Sequence, residues 1–312
     1  MRGRRKEESP VTVAAGFDLG GTQLKYGLVD EKGTILLKDK VDTPKGIQDL
    51  IALFGRVYRE LRAKSPRPVA AVGFGIPGTY DLRRKRILQS PNYPALDGYD
   101  LDPALAREID VPFQVDNDAN MAAYGEWVAG AGRGVESLVL LTIGTGIGGG
   151  LILGGSLWRG RCGYGGEIGH IIVRPDGERC ACGLQGCLET EASAPAIVRK
   201  YQALAGRPEE VTAEEVYRRA KAGEEAARGA FAQAGYYLGI GLGIVINLLN
   251  PAKILLGGGV MTTGEFLLEP AVAEARNRSY RQSFACVAVE RAALGNDAGL
   301  IGAAAWARAN RD

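Results

Sequence analysis

Two stretches of the chain repeat one design, and that repetition predicts an α/β protein with a duplicated core. Residues 11–43, VTVAAGFDLGGTQLKYGLVDEKGTILLKDKVDT, read as three successive β-rich strands broken at glycines and at DEKG. Residues 137–160, SLVLLTIGTGIGGGLILGGSLWRG, restart the pattern of strand, glycine turn and strand. Farther on, AKILLGGGV (252–260) echoes VAAVGFGIPG (69–78).

The elements follow in order. After the first three strands, Ile47, Leu50, Ile51, Phe54, Val57, Tyr58 and Leu61 recur at helical spacing and predict an amphipathic helix. VAAVGFGIPG reads as a buried strand, and YDLRRKRILQS (80–90) as a hairpin whose RRKR tip is solvated. LDPALAREI predicts a helix with Asp102 as N-cap and Pro103 at its first position. PFQVDNDANMAAYGEW (112–127) is a strand entering a helix through a polar turn. The second copy carries two insertions, a Cys/His segment and a helical region over roughly 192–249. A last helix, AGLIGAAAWARAN, follows Asp297 as its expected N-cap and is expected to fold back on the first domain. These elements suggest a smaller domain over 1–121, completed by 299–312, and a larger one over 122–298, with the change-over near Met121–Tyr124.

At 312 residues the chain is long enough for two cores. Its 38 Lys and Arg against 36 Asp and Glu leave a net charge of +2, which gives no sign of a nucleic-acid partner. MRGRRKEESP lacks an apolar stretch behind its charges, so no secretory signal is expected. The apolar run YYLGIGLGIVINLLN is shorter than the roughly 20 residues that span a bilayer. No membrane association and a cytoplasmic location are therefore expected, where the five cysteines would be thiols or metal ligands.

Forty-five glycines mark many tight turns and close backbone approaches. In DLGGTQLKYG, Gly20 and Gly21 leave the main-chain N–H groups open to phosphate oxygens. There Thr22 adds a hydroxyl, Lys25 a charge, and Asp18 a carboxylate able to hold a magnesium ion through water. A hairpin turn without a ligand would give the same pattern, but Gly144, Thr145 and Gly146 of TIGTGIGGG form a second such turn at the matching place in the repeat. Gly257, Gly258 and Gly259 suit a backbone lying flat against an adenine or ribose, and equally a strand–helix turn. Neither glycine loop is a Walker motif, and no G-x-G-x-x-G opens a helix after the first strand.

VDNDAN gathers Asp116, Asn117, Asp118 and Asn120 where a strand meets a helix. An Asx-turn with a cap accounts for such a cluster, and so does a general base beside an amide that holds hydroxyls. An unperturbed aspartate suffices for phosphoryl transfer, because the proton leaves late in a loose transition state. His170, Cys180, Cys182 and Cys187 read H-x9-C-x-C-x4-C, a ligand set for a closed, structural zinc site without an open position for water. Cys162 and Cys286 stand apart and are expected to be buried thiols.

Duplicated β-β-β units with a phosphate loop in each resemble the actin-like ATPase superfamily, of ribonuclease H-like fold. DLGGTQLKYGLVD, GFGIPG, NDANMAAYGE, LTIGTGIGGGLILGG, GEIGH, CACGLQGCLE and NDAGLIGAA together resemble the ROK family, in order over nearly the whole chain. The C-x-C-G-x-x-G-C-x-E segment is the most specific piece. The resemblance implies two domains with a cleft between them and an ATP- and magnesium-dependent hexose kinase with Asp118 as catalytic base. It implies that Asn117, Glu167, His170 and Glu189, joined by Asn92 of SPNYP, grip the sugar. The zinc clip would span 170–187 with His170 serving both zinc and sugar, and the two glycine hairpins would hold ATP. A homodimer or homotetramer is also implied. GYGGEIGH resembles members acting on glucose, whereas those acting on fructose usually show His-Pro before the Glu. Kinases of allose, N-acetylmannosamine or N-acetylglucosamine, and sugar-sensing repressors, are the family's other members. About a dozen residues precede the first strand, too few for a DNA-reading unit.

Overall fold

The computed structural model describes residues 12–206 and 208–311. The expectation about a signal sequence therefore falls outside the described residues. The chain divides into two units. One comprises residues up to Tyr80, Arg84–Asp118 and Leu300 onward; the other comprises Asp81–Arg83 and Ala119–Gly299.

The elements run β1 (Val13–Leu19), β2 (Gln23–Val29), β3 (Ile35–Asp42), α1 (Ile47–Lys64), β4 (Val69–Ile76), β5 (Thr79–Asp81), β6 (Arg86–Gln89), α2 (Leu101–Glu108), β7 (Phe113–Asn117) and α3 (Asp118–Ala129). They continue as β8 (Leu138–Ile143), β9 (Ile147–Leu153), β10 (Ser156–Leu157), α4 (Leu188–Ala192), α5 (Ala194–Ala205), α6 (Ala213–Lys221) and α7 (Glu225–Leu249). Then come β11 (Lys253–Gly257), α8 (Glu265–Arg278), α9 (Arg281–Ala285), β12 (Ala288–Arg291) and α10 (Ala298–Ala309). The expected duplication is present in the sheets. The first has strand order β3-β2-β1-β4-β7 and the second β10-β9-β8-β11-β12. In each, the first two strands of the repeat pair antiparallel and the next joins in parallel.

Strand alternation explains how the first sheet is covered on both faces. Phe17 and Phe74 are register partners on β1 and β4, and their rings stack at 4.9 Å. Phe54 of α1 meets both edge-on, at 5.7 and 5.0 Å. Their chain neighbours Gly16 and Gly73 are also register partners, and α10 lies against these two. A Cβ at Gly73 would stand 1.8 Å from the Ala303 carbonyl oxygen, and one at Gly16 would stand 2.1 Å from that of Leu300. Gly73→Ala is therefore expected to lower stability by about 1–3 kcal/mol, read as a drop in Tm. Arg308 and Asn310 fix the end of this helix region through the Asp30 carbonyl and the Gln114 amide.

In the second unit, α5, α6, α7 and α8 cover the sheet around Phe231, Leu238, Leu242, Ile254 and Leu256, all fully buried. The helix α7 spans 25 residues, longer than the apolar run suggested, and by length and composition alone could cross a membrane. In this fold 61% of its most apolar stretch is buried. Its glycines permit close approach: a Cβ at Gly235 would lie 2.5 Å from Pro270, and one at Gly239 would lie 2.6 Å from the Ala271 carbonyl oxygen. Glu126, fully buried on α3, accepts the backbone N–H groups of Ala131, Ala293 and Leu294. Three donors satisfy a carboxylate that would otherwise be costly to bury.

Three local expectations are corrected. Helix α2 begins at Leu101 after Asp100, so Asp102 lies in its first turn, where it accepts the Tyr80 hydroxyl at 2.7 Å and pairs with Lys85. A tertiary hydroxyl won that side chain from the cap. Cys162 is half-buried and Cys286 is exposed; both stand on surface segments with no strand or core-helix face to bury them.

Candidate functional site

In the first unit the site begins where β1 turns into β2. The Gly20 N–H donates to the Gln23 carbonyl at 2.9 Å, closing the turn, while the Thr43 hydroxyl and N–H bond the carbonyls of Gly20 and Thr22. Gly21 and Thr22 are left exposed. Asp18 and Lys25 face one another as a cross-strand pair, with Lys25 Nζ 3.7 Å from Asp18 Oδ2. Burial pushes the Asp18 carboxyl above its ordinary range, and the Lys25 ammonium pulls it partly back. A Cβ at Gly21 would lie 2.9 Å from the Asn92 carbonyl oxygen, so the SPNYP segment borders this turn.

The polar turn between β7 and α3 lies in the same unit. Asn117 ends β7, and its Nδ2 donates to the Gly78 carbonyl at 3.0 Å. Gly78 holds φ at +109°, a conformation that L side chains rarely adopt. Asp116 is 2% exposed and accepts the Asn117 N–H at 2.8 Å. Asp118 is the first residue of α3, half-buried at the helix's positive end.

The second unit brings together the other candidates. Gly144, Thr145 and Gly146 form the turn from β8 to β9, with the Gly144 N–H on the Gly146 carbonyl at 2.9 Å. Gly257 pairs in register with Thr142, and Gly258, at φ +87°, would place a Cβ 2.4 Å from the Ile143 carbonyl oxygen. The 257–259 run therefore lies against the mouth of this hairpin.

Beside it, Glu167 precedes a one-turn 3₁₀ helix, Ile168–His170. His170 Nδ1 is 3.7 Å from Cys180 Sγ, and Cys182 Sγ is 3.7 Å from Cys187 Sγ. The ligand atoms of His170, Cys180, Cys182 and Cys187 all lie within 4.8 Å of one another. Tetrahedral zinc with Zn–S near 2.3 Å would set sulfurs roughly 3.8 Å apart, so the donor set and its spacing fit that ion. Burial and the neighbouring sulfurs push the Cys187 thiol up to about 12, so a cation must displace its proton. Two positive-φ glycines shape the knuckle, Gly183 at +92° and Gly186 at +76°; a Cβ at Gly186 would stand 1.6 Å from the Arg174 carbonyl oxygen.

The outer His170 nitrogen, Nε2, is 3.9 Å from Glu167 Oε2. Burial raises the Glu167 carboxyl above its usual range; His170 lowers it and Glu189 raises it further. Glu189 directs Oε2 to the Ile147 N–H at 2.8 Å. The carbonyl of Gly78 and the N–H groups of Ile147 and Ala194 also shape these sites. Sequence reading passed over them because a backbone partner leaves no residue-type signal.

Residues 14–310 match the ROK family. A glucokinase from Thermotoga maritima is 36% identical over 309 residues, covering 95% of this chain and 97% of that protein. Two solved structures are similar over 96% of the chain. One is a ROK hexokinase from Thermus thermophilus, with a TM-score of 0.84, 36% identity and 98% of that chain covered. The other is a ROK family glucokinase from Streptomyces griseus in complex with glucose and AMPPNP, with a TM-score of 0.83, 34% identity and 100% of that chain covered.

Proposed function

The chain belongs to the ROK family, and from that premise we propose that it transfers the γ-phosphate of ATP to the 6-hydroxyl of glucose. The observation that carries the reading is near-full-length similarity to glucokinases in a chain that keeps an aspartate, Asp118, at the β7–α3 turn and two matching glycine hairpins.

In this reading Asp118 takes the proton of the attacking hydroxyl as the phosphoryl group departs from ADP. Its task is positioning and late proton acceptance, so an ordinary carboxylate is enough. Asn117, fixed through Gly78, presents its amide oxygen to the sugar with Asn92. Glu167, His170 and Glu189 accept or donate to the other hydroxyls. The turns Gly20–Thr22 and Gly144–Gly146, closed by the Gly20 and Gly144 N–H groups, offer their remaining N–H groups to the phosphates, Lys25 adds charge, and Gly257–Gly259 lies under the nucleoside. Magnesium, carried with ATP and held through Asp18, supplies charge neutralisation at the phosphates. Zinc, held by His170, Cys180, Cys182 and Cys187, supplies a fixed point: Nδ1 on the metal side leaves Nε2 for sugar and sets the ring's tautomer. A cytosolic location and a homodimer or homotetramer complete the reading.

A coupled assay over glucose, fructose, allose, N-acetylmannosamine and N-acetylglucosamine, with ATP, ADP and polyphosphate as donors, tests this. The expected result is a kcat/KM at least about tenfold higher for glucose with ATP than for any other pair. A higher value for an N-acetylhexosamine would reassign the sugar. Sugar binding without any phosphoryl transfer would turn the reading into that of a regulator.

A further inference from the structure

The segment that carries the metal ligands does not stop at Cys187. It runs on into α4 and α5, and two polar contacts from that continuation reach the second glycine hairpin. Glu189 Oε2 accepts the Ile147 N–H at 2.8 Å. The Ala194 N–H donates to the Gly144 carbonyl at 2.9 Å. Residues 144 and 147 flank the Thr145–Gly146 step, so the turn is gripped at both ends. The second Glu189 oxygen, Oε1, lies 3.7 Å from Cys180 Sγ, so one carboxylate touches both the ligand cluster and the hairpin.

The local sequence fits this arrangement. Gly146 leaves room for the carboxylate, since a Cβ there would lie 2.4 Å from Glu189 Oε2. Gly169, next to His170, lets the backbone approach so closely that its Cβ would stand 2.0 Å from the Ile147 carbonyl oxygen. Leu188 N–H is tied to the Ile171 carbonyl at 2.8 Å, and Ile172 bridges to Cys187. Backbone and side-chain contacts thus run from the cysteine sulfurs to the 146–147 peptide.

We propose that the metal clip is the mount of the phosphate hairpin, with Glu189 and Ala194 acting as positioning residues for nucleotide through Ile147 and Gly144. This rests on the reading of Gly144–Gly146 as a nucleotide-binding turn. A glycine turn is conformationally loose, and its N–H groups must be ordered before they can meet phosphate oxygens. Holding both ends in advance removes that ordering cost from binding. Disturbing the clip therefore weakens nucleotide binding as well as sugar binding, although no metal ligand needs to touch the nucleotide.

Ala194→Pro isolates the effect. It replaces one N–H donor at the first position of α5 with a ring carbon that the Gly144 carbonyl must move away from, and it alters no metal ligand or sugar-facing side chain. Calorimetric titration with AMPPNP and magnesium, and separately with glucose, is expected to show an AMPPNP Kd raised about tenfold. Glucose Kd and zinc content should stay as in the unaltered chain. Hydrogen exchange of the unaltered chain before and after chelation gives a second measurement. The amide of Ile147 should exchange about tenfold faster once zinc is removed.

An unchanged AMPPNP Kd in a folded Ala194→Pro chain, or an unchanged Ile147 exchange rate after chelation, would overturn the proposal. If the variant does not fold, the exchange measurement decides alone. If the unaltered chain binds glucose but not AMPPNP, the nucleotide reading is the one that fails, while the exchange rate still reports whether clip and hairpin are linked.

Discussion

Replacing Asp118 with asparagine is expected to lower kcat by roughly 10²- to 10⁴-fold while leaving glucose and AMPPNP affinity within a few-fold of the original. The amide keeps the size of the side chain and a hydrogen-bonding oxygen at the start of α3, so the sugar hydroxyl still has a partner. What is lost is the ability to take a proton. The folding cost should be small, because Asp118 is half-buried and opens the helix rather than lying in its interior. The measurement is steady-state kinetics beside calorimetric binding. Near-original turnover on every hexose would show that another group accepts the proton, and a loss confined to KM would mean that Asp118 only grips.

The second large effect is expected at Cys187, a fully buried cysteine of the His/Cys cluster that directly precedes α4. Cys187→Ser should cut zinc from about one per chain to a small fraction, because an alcohol is a far poorer ligand than a thiolate. Glucose affinity should fall by about 10- to 100-fold, the usual scale when the support of a site is removed. The reason is geometric. Without the metal, the contacts that orient the His170 ring include its 3.7 Å approach to Cys180 and its outer contact with Glu167, both weaker than a metal bond. Cys286→Ser serves as the control, since that thiol is exposed and outside the cluster, and it should change neither zinc content nor glucose affinity. If Cys187→Ser kept its zinc and its glucose affinity, the clip would have no part in binding.

The strands and the gathering of the His/Cys side chains were legible for a simple reason. In β1 and β2 the glycine break sits between two apolar runs, and His170, Cys180, Cys182 and Cys187 crowd into eighteen residues of a chain with one histidine and five cysteines. Four such side chains at short spacing seldom gather outside a metal site. The region 192–249 was legible as helical, but not that its last 25 residues form one unbroken helix, because a run with Gly235, Gly239, Gly241 and Gly243 has low helix propensity. Those glycines are there because α8 and Leu188 come too close for side chains, a tertiary fact that overrides propensity. The place of Asp102 was missed for a similar reason, since Tyr80 lies twenty-two residues away in sequence. The double commitment of Glu189, to Ile147 on one side and Cys180 on the other, depends on a backbone N–H and on a loop's path. Neither leaves a mark in the order of residue types.

The contact of α10 with Gly16 and Gly73 also bears on how the polypeptide is made. The strands of the first sheet leave the ribosome well before the helix that covers one of its faces. Between Gly16 and Leu300 lie 284 residues of synthesis (300 − 16). At roughly 5–20 residues per second that is a delay on the order of 15–60 s. Throughout it, the nascent β1–β4 surface stays open while the larger unit can already complete its own core. Translation order therefore leaves one apolar face of the first unit uncovered until α10 is released.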